Sequence, residues 1–311
     1  MKILFMGTPE FAVPCLDMLV NEGYNVIGAV TQPDKPKGRG HKLSQPPVKE
    51  YAVSKGIPVF QPSNLKNGSF KDDLENLNPD LIVVVAYGKI LPKYILDYPK
   101  YGCINVHASL LPKYRGAGPI QWCIINGEKE TGITTMYMDE GMDTGDMILK
   151  KKISIGEDET AGELHDRLSV LGAEVLKETV GLLEKGPIPR EPQPHHEATY
   201  APMLDKSISR INWSKPAIEI KNLVRGVNPW PVAYTYYKDQ CMKVWSVDIE
   251  ECCTDEVPGT ILKYINNKGL AVKAGDKYCI IIKEVQFEGG KRMGIDEYLR
   301  GHSIIYGECL S

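Results

Sequence analysis

Lys2-Ile3-Leu4-Phe5-Met6, then Gly7-Thr8-Pro9, then Phe11, Val13, Leu16, Leu19 and Val20 at helical intervals, form the stretch on which the fold turns. The near-continuous apolar run reads as a buried strand, the Gly-Thr-Pro group as a turn, and the spaced apolar positions as the inner face of an amphipathic helix. After Gly23 a second strand is expected over residues 25–31. Strand, helix and strand at this spacing make a βαβ unit, whose crossover forces parallel pairing. Working outward, further strands are expected at 58–60, 81–87, 103–106 and 134–138, with helices between most of them. The 81–87 run is apolar on successive residues, so it belongs at the centre of the sheet with both faces covered. An open α/β sheet is the expected architecture.

Beyond it, Leu164, Leu168, Leu171, Val175, Leu176, Leu182 and Leu183 recur at helical spacing behind a Thr160/Glu163 capping box. They predict one long helix over 160–185 that closes the first domain. Pro187, Pro189, Pro192, Pro194 and Pro202 then interrupt residues 186–206, a composition that cannot sustain regular elements and reads as a linker. After a helix near 217–224, short β-rich runs at 233–237, 242–249, 259–264, 270–273 and 278–287 fit a small barrel. The expected division is a first domain over 1–189, a linker over 190–206 and a C-terminal domain over 207–311. A chain of 311 residues agrees with two domains at about 150 residues each.

With 42% hydrophobic and 25% charged residues, the composition is that of a folded globular chain. The longest apolar run, 81–87, is far below the roughly 20 residues that cross a bilayer. The apolar run at the start ends before the about 7–15 residues of a signal sequence, so a cytoplasmic location is expected. A net charge of -3 lacks the global basic field of a non-specific nucleic-acid binder. Residues 206–311 carry 15 Lys+Arg against 13 Asp+Glu, which makes the asymmetry between the halves mild. The eight cysteines include no Cys-x-x-Cys pair and mostly sit in apolar runs, so buried thiols are expected rather than a zinc site or disulfides.

Three segments carry candidate chemistry. Gly7-Thr8-Pro9 stands where phosphate-binding glycines would, but no Gly-x-Gly-x-x-Gly follows, which disfavours a dinucleotide site; the turn either shapes the junction or lines a cleft. Asn105 and His107 are two apart on an expected strand and therefore on one side of it, ahead of a Gly- and Pro-rich loop over 109–119. Ligands of open α/β sheets bind beyond the carboxyl ends of strands. The loop 138–146 holds Asp139, Glu140, Asp143 and Asp146, either a solvated acidic turn or a divalent-cation site. An amide, an imidazole and an acid together suit acyl transfer to an amine: amide N–H and imidazolium stabilise the oxyanion, and the acid manages the proton that the amine loses. Lys35 to Lys42 clusters basic side chains among glycines, either a solvated loop or an RNA contact.

Asn105-Val106-His107, Ser109-Leu110-Leu111-Pro112 and Met142-Asp143-Thr144-Gly145 together resemble the signature of the folate-dependent formyltransferases. Gly7-Thr8-Pro9-Glu10-Phe11, Thr31-Gln32-Pro33-Asp34-Lys35-Pro36, Gly38-Arg39-Gly40 and Val227-Asn228-Pro229-Trp230-Pro231 extend the likeness over nearly the whole chain. The resemblance implies an open, mostly parallel Rossmann-like sheet of the formyltransferase fold, followed by a small OB-like β-barrel. It implies catalysis by Asn105, His107 and Asp143 with 10-formyltetrahydrofolate as co-substrate and no metal. The folate would lie against Tyr87, Gly88, Ile90, Ser109, Leu110, Leu111, Pro112, Met138 and Glu140. The implied acceptor is the amine of methionine-charged initiator tRNA, contacted by Arg39, Lys42 and Lys206, in the service of translation initiation. Lys215, Lys221, Arg225 and Lys243 would hold the tRNA backbone. Two other readings compete: the same chemistry on an amino-sugar nucleotide or on water, and a non-enzymatic RNA-binding module, which leaves the Asn, His, Asp trio without a role.

Overall fold

The computed structural model describes residues 1–37, 42–186 and 188–311. By contacts the chain divides into two units, one of residues 1–119, 130–154 and 165–201, the other of 120–129, 155–164 and 202–311. The second unit thus takes in two short segments that precede the proline-rich stretch.

In chain order the elements are β1 (Lys2–Gly7), α1 (Val13–Asn21), β2 (Asn25–Val30), β3 (Lys35–Lys37), β4 (Lys42–Ser44), α2 (Pro47–Ser54), β5 (Val59–Phe60), α3 (Lys71–Leu77), β6 (Leu81–Val85), α4 (Lys93–Leu96), β7 (Cys103–His107), α5 (Pro119–Ile125), β8 (Glu130–Tyr137), β9 (Met147–Ser154) and α6 (Ala161–Lys185). One sheet of seven strands runs β5-β2-β1-β6-β7-β8-β9. Its first five are parallel, and β8 and β9 are antiparallel to their neighbours. The mostly parallel sheet expected from the opening βαβ unit is therefore present. β6 stands at the centre with all five residues buried, as its unbroken apolar run requires.

Three strands ahead of α6 escaped the sequence reading. β9 carries Lys150, Lys151 and Lys152 at the open edge of the sheet, where lysines discourage pairing with another chain but blur the apolar alternation that marks a strand. β3 and β4 form a small antiparallel ladder, Lys35 opposite Ser44 and Lys37 opposite Lys42, within the segment read as a flexible loop. β6 ends at Val85, two residues before its expected limit, because Ala86 takes a left-handed φ of 46°.

The strand order reverses between β1 and β6, which places a crevice beyond their carboxyl ends. The Gly7-Thr8 turn ties this region together. Gly7 has no room for a Cβ, which would sit 2.9 Å from the Val85 carbonyl, and the Thr8 hydroxyl donates to Tyr87 O (3.2 Å) while accepting from Gln32 N–H (3.3 Å). The ends of β2, β1 and β6 are thereby held at fixed separations.

In the second unit, α7 (Ala217–Gly226) precedes β10 (Ala233–Tyr237), β11 (Gln240–Glu251), β12 (Ile261–Ile265), β13 (Gly269–Lys273), β14 (Tyr278–Phe287), β15 (Met293–Gly294) and α8 (Ile295–Gly301). The sheet runs β10-β11-β14-β13-β12, with β15 against β14. Residues 307–311 join its two edges. Ser311 and Tyr236 exchange backbone hydrogen bonds on the β10 side, while Ile261 N–H donates to Glu308 O and Leu310 N–H to Gly259 O beside β12. Curling β10 and β12 onto a shared segment leaves neither edge open. The interior includes Ile220, Val224, Met242, Val244, Ile261, Ile280 and Ile282, all buried.

Candidate active site

Strand β7 positions two of the three expected catalytic side chains. Its Asn105 is half-buried between Val84 of β6 and Met136 of β8, and its last residue, His107, is 6% exposed. The third arrives from the loop that joins β8 to β9. There Asp143 adopts a left-handed φ of 54°, a conformation that Asp and Asn tolerate better than most residues. This fold of the loop brings the Asp143 carboxylate over β7. Its Oδ1 accepts from Asn105 Nδ2 at 3.4 Å, its Oδ2 lies 3.7 Å from His107 Nδ1, and the same Oδ2 accepts the Gly116 backbone N–H at 2.8 Å.

His107 has a defined tautomer. Its Nε2 is 2.9 Å from Tyr114 O, and a carbonyl only accepts, so Nε2 carries a proton. Nδ1 is then the atom free to gain or lose one, and it faces Asp143. The site therefore joins an amide donor, a proton-exchanging imidazole nitrogen and a carboxylate. Asn105 has a further N–H on Nδ2 with no partner among the described residues.

The remaining expected residues are distributed unevenly. Ser109 is fully buried, its hydroxyl donating to Lys113 O at 2.6 Å. Thr134 bridges Ser109 O and Leu111 N–H, so β8 fixes the 109–112 stretch through one side chain. Leu111 packs against Met136 and Met147, Pro112 is buried beside it, and Leu110 covers Gly132. The Tyr87 ring lies in a cluster with Leu91, Ile95 and the partly buried Met138, and burial pushes its phenol up to about 12. Tyr87 is thus a core residue, and its carbonyl accepts from Thr8 Oγ1 and Gln32 Nε2. Gly88 abuts the Gln32 amide, and Ile90 and Glu140 are exposed, with Glu140 3.5 Å from Lys93. The other acids of the loop are placed differently from Asp143: Asp139 Oδ1 accepts from Gly141 N–H and Thr144 Oγ1, and Asp146 is held through its main chain, its carbonyl accepting Tyr137 N–H.

Among the expected RNA contacts, Arg39 lies outside the described residues, and Lys42 is the first residue of β4. In the second unit, Lys206 is exposed at the start of a 3-10 turn. Arg225 is placed otherwise than expected. It is 7% exposed, and its guanidinium donates to Asn222 Oδ1, Gly156 O and Glu159 O, so it clamps its own unit. Lys221 pairs with Asp158, and Lys215 with Glu219 one helical turn on.

Sequence reasoning passed over Arg115 and Gln193, both buried beside the site. Arg115 stands inside the loop already singled out, and a charged residue flanked by Tyr114 and Gly116 in a packed loop was the available signal. Gln193, among the prolines of the linker, offered none.

A carboxylate, an imidazole and an amide gathered over the central strands of an open α/β sheet are the parts of a group-transfer enzyme. The formyl transferase family model matches residues 1–180, and the model of the formyl transferase C-terminal domain matches 203–303. A methionyl-tRNA formyltransferase of Acetivibrio thermocellus is 60% identical over 100% of this chain and 99% of its own length. One from Alkaliphilus oremlandii is 58% identical with the same coverage. The chain belongs to the methionyl-tRNA formyltransferase family. The fold also aligns with an N-formyltransferase of Helicobacter canadensis in complex with folinic acid and dTDP-3-aminofucose, with a TM-score of 0.68 and 20% identity over 91% of this chain and 98% of that one. HypX of Aquifex aeolicus, in complex with tetrahydrofolic acid, aligns with a TM-score of 0.63 and 15% identity over 99% of this chain and 50% of its own.

Proposed function

We propose that this chain transfers the formyl group of 10-formyltetrahydrofolate to the α-amino group of initiator methionyl-tRNA, yielding N-formylmethionyl-tRNA for translation initiation. The observation that carries the reading is the convergence of Asn105, His107 and Asp143 from a strand and a distant loop, in a chain whose relatives of like sequence over their whole length are methionyl-tRNA formyltransferases. Asn105 Nδ2–H donates to the formyl oxygen as negative charge develops on it. His107 Nδ1 receives a proton from the attacking amine, the Asp143 carboxylate stabilises the imidazolium that results, and the ring returns that proton to N10 as the formyl–N10 bond breaks and tetrahydrofolate leaves. Tyr114 O keeps the ring in the orientation this requires.

The formyl-folate would lie in the crevice beyond β1 and β6. Backbone groups of Tyr87 and Gly88, the 109–112 stretch and the Met138–Glu140 part of the acidic loop would hold it. Arg39, Lys42 and Lys206 would contact the tRNA, with Lys243 and neighbouring bases supporting its backbone. Residues 1–189 would form the catalytic domain, 190–206 the linker and 207–311 the tRNA-holding domain. The enzyme would work in the cytoplasm, where charged tRNA is made.

The test is formyl transfer from 10-formyltetrahydrofolate to charged initiator tRNA, charged elongator methionine tRNA and an amino-sugar nucleotide in parallel. A strong preference for the initiator is expected. Turnover of the sugar nucleotide with none of the tRNAs would sink the assignment of the acceptor.

A further inference from the structure

Arg115 is among the largest fully buried side chains of the protein, 2% exposed, and among the described residues no carboxylate lies within ion-pair distance of it. A buried cation without a counter-ion is costly unless its donors are fully used. Its Nε and Nη2 donate to one atom, Gln193 Oε1, at 3.0 and 2.6 Å, and Nη1 and Nη2 approach His195 Nδ1 at 3.3 Å. Gln193 is itself 4% exposed. Its Nε2 donates to two backbone carbonyls, Asp143 O at 2.9 Å and Gly145 O at 2.7 Å.

Resting on the catalytic assignment above, we propose that Arg115 and Gln193 are positioning residues that hold the Asp143 loop in its reactive conformation. A guanidinium offers only donors, so whatever amide end faces it must be the oxygen. Arg115 thereby decides which way Gln193 is turned, and the N–H₂ end is left aimed at the loop. The two carbonyls it captures bracket Thr144, directly after the left-handed Asp143, and Gly145 is pressed so closely on β8 that a Cβ would lie 1.8 Å from Tyr137 O. Held at both points, the loop sets its carboxylate on the Gly116 N–H and beside His107. Gly116 follows Arg115 in the chain, and Arg115 N–H and C=O are themselves anchored to Thr199 O and Ala201 N–H. One dipeptide therefore controls both the main chain and the side chain of Asp143. An angular error of a few degrees at Asp143 would turn its carboxylate away from His107 Nδ1, which is a loss in the transition state rather than in binding.

Gln193→Glu separates this role from simple compensation of the buried charge. A carboxylate pairs with Arg115 at least as well as the amide does, but it has no N–H for the loop and sets negative oxygen against two carbonyls. If Gln193 serves only to satisfy Arg115, kcat stays within tenfold of the parent, and the proposal is overturned. The expected result is a kcat at least tenfold lower, with KM for charged initiator tRNA within threefold and a cooperative thermal transition. Should Gln193→Glu fail to fold, Gln193→Asn, uncharged and one methylene too short to reach both carbonyls, is read by the same kcat criterion. Asp143→Asn is measured beside them. If it keeps the parental kcat, the catalytic assignment fails and the relay falls with it; if it is inactive while the Gln193 variants keep their kcat, only the relay is overturned.

Discussion

Replacing Asp143 by Asn removes one charge and leaves nearly everything else in place. Asn is isosteric and tolerates the φ of 54°, and the main-chain carbonyl held by Gln193 is unchanged. What is lost is an acceptor and a full negative charge 3.7 Å from His107 Nδ1, with both side chains largely shielded from solvent. At an effective dielectric near 20, a carboxylate and an imidazolium at that separation attract by about 4 kcal/mol. That term acts only once the ring has taken the amine proton, so it belongs to the transition state. Allowing for residual solvent at a side chain 15% exposed, kcat should fall at least 100-fold, or about 2.7 kcal/mol. KM for tRNA and formyl donor should move little. The measurement is single-turnover formyl transfer beside equilibrium binding of charged tRNA. A variant within tenfold of the parent would show that the carboxylate does not stabilise the protonated ring, and the division of roles drawn here would be wrong.

Other outcomes follow from particular placements. Arg39→Ala should reduce kcat/KM for initiator tRNA by about 1–3 kcal/mol, as for loss of a directed base contact, with Arg39→Lys recovering only part; an unchanged ratio between initiator and elongator tRNA would exclude the loop as the discriminator. Arg225→Ala should lower stability by about 2–3 kcal/mol in denaturant melts, since Gly156 O, Glu159 O and Asn222 Oδ1 all lose a charged donor, whereas a phosphate-binding arginine would leave stability alone and alter the salt dependence of tRNA affinity. Burial pushes the Cys15 and Cys103 thiols up to about 12, so at pH 8 only about one in 10,000 is thiolate. Iodoacetamide on the native protein should mark the exposed Cys253 and Cys309 and spare those two; mass mapping of labelled Cys103 in folded protein would contradict the packing.

Much was legible in the residues themselves because it depends on periodicity and local chemistry. The apolar run of β6 announced a central strand, the spacing of Leu164 to Leu183 announced α6, and the two-residue offset of Asn105 and His107 put both on one face of β7. Leu182 departs from that helical pattern, standing 38% exposed where its spacing suggested the inner face. The acid at position 143 was chosen from four by likeness to a family signature, since composition alone treats Asp139, Glu140, Asp143 and Asp146 alike. Only the tertiary structure distinguishes them physically. The left-handed turn at Asp143 and the two carbonyls held by Gln193 bring one carboxylate over β7, while Asp139 bonds within its own loop and Glu140 lies near Lys93. Closure of the barrel and the tether of Asp143 to Arg115 are of the same kind. Each joins backbone groups or side chains well separated along the chain, as with Gln193 and Asp143, 50 residues apart, and no local pattern encodes such a partner. A hydrogen bond depends on where two atoms meet, and that is decided by how the sheet, the loops and the linker pack.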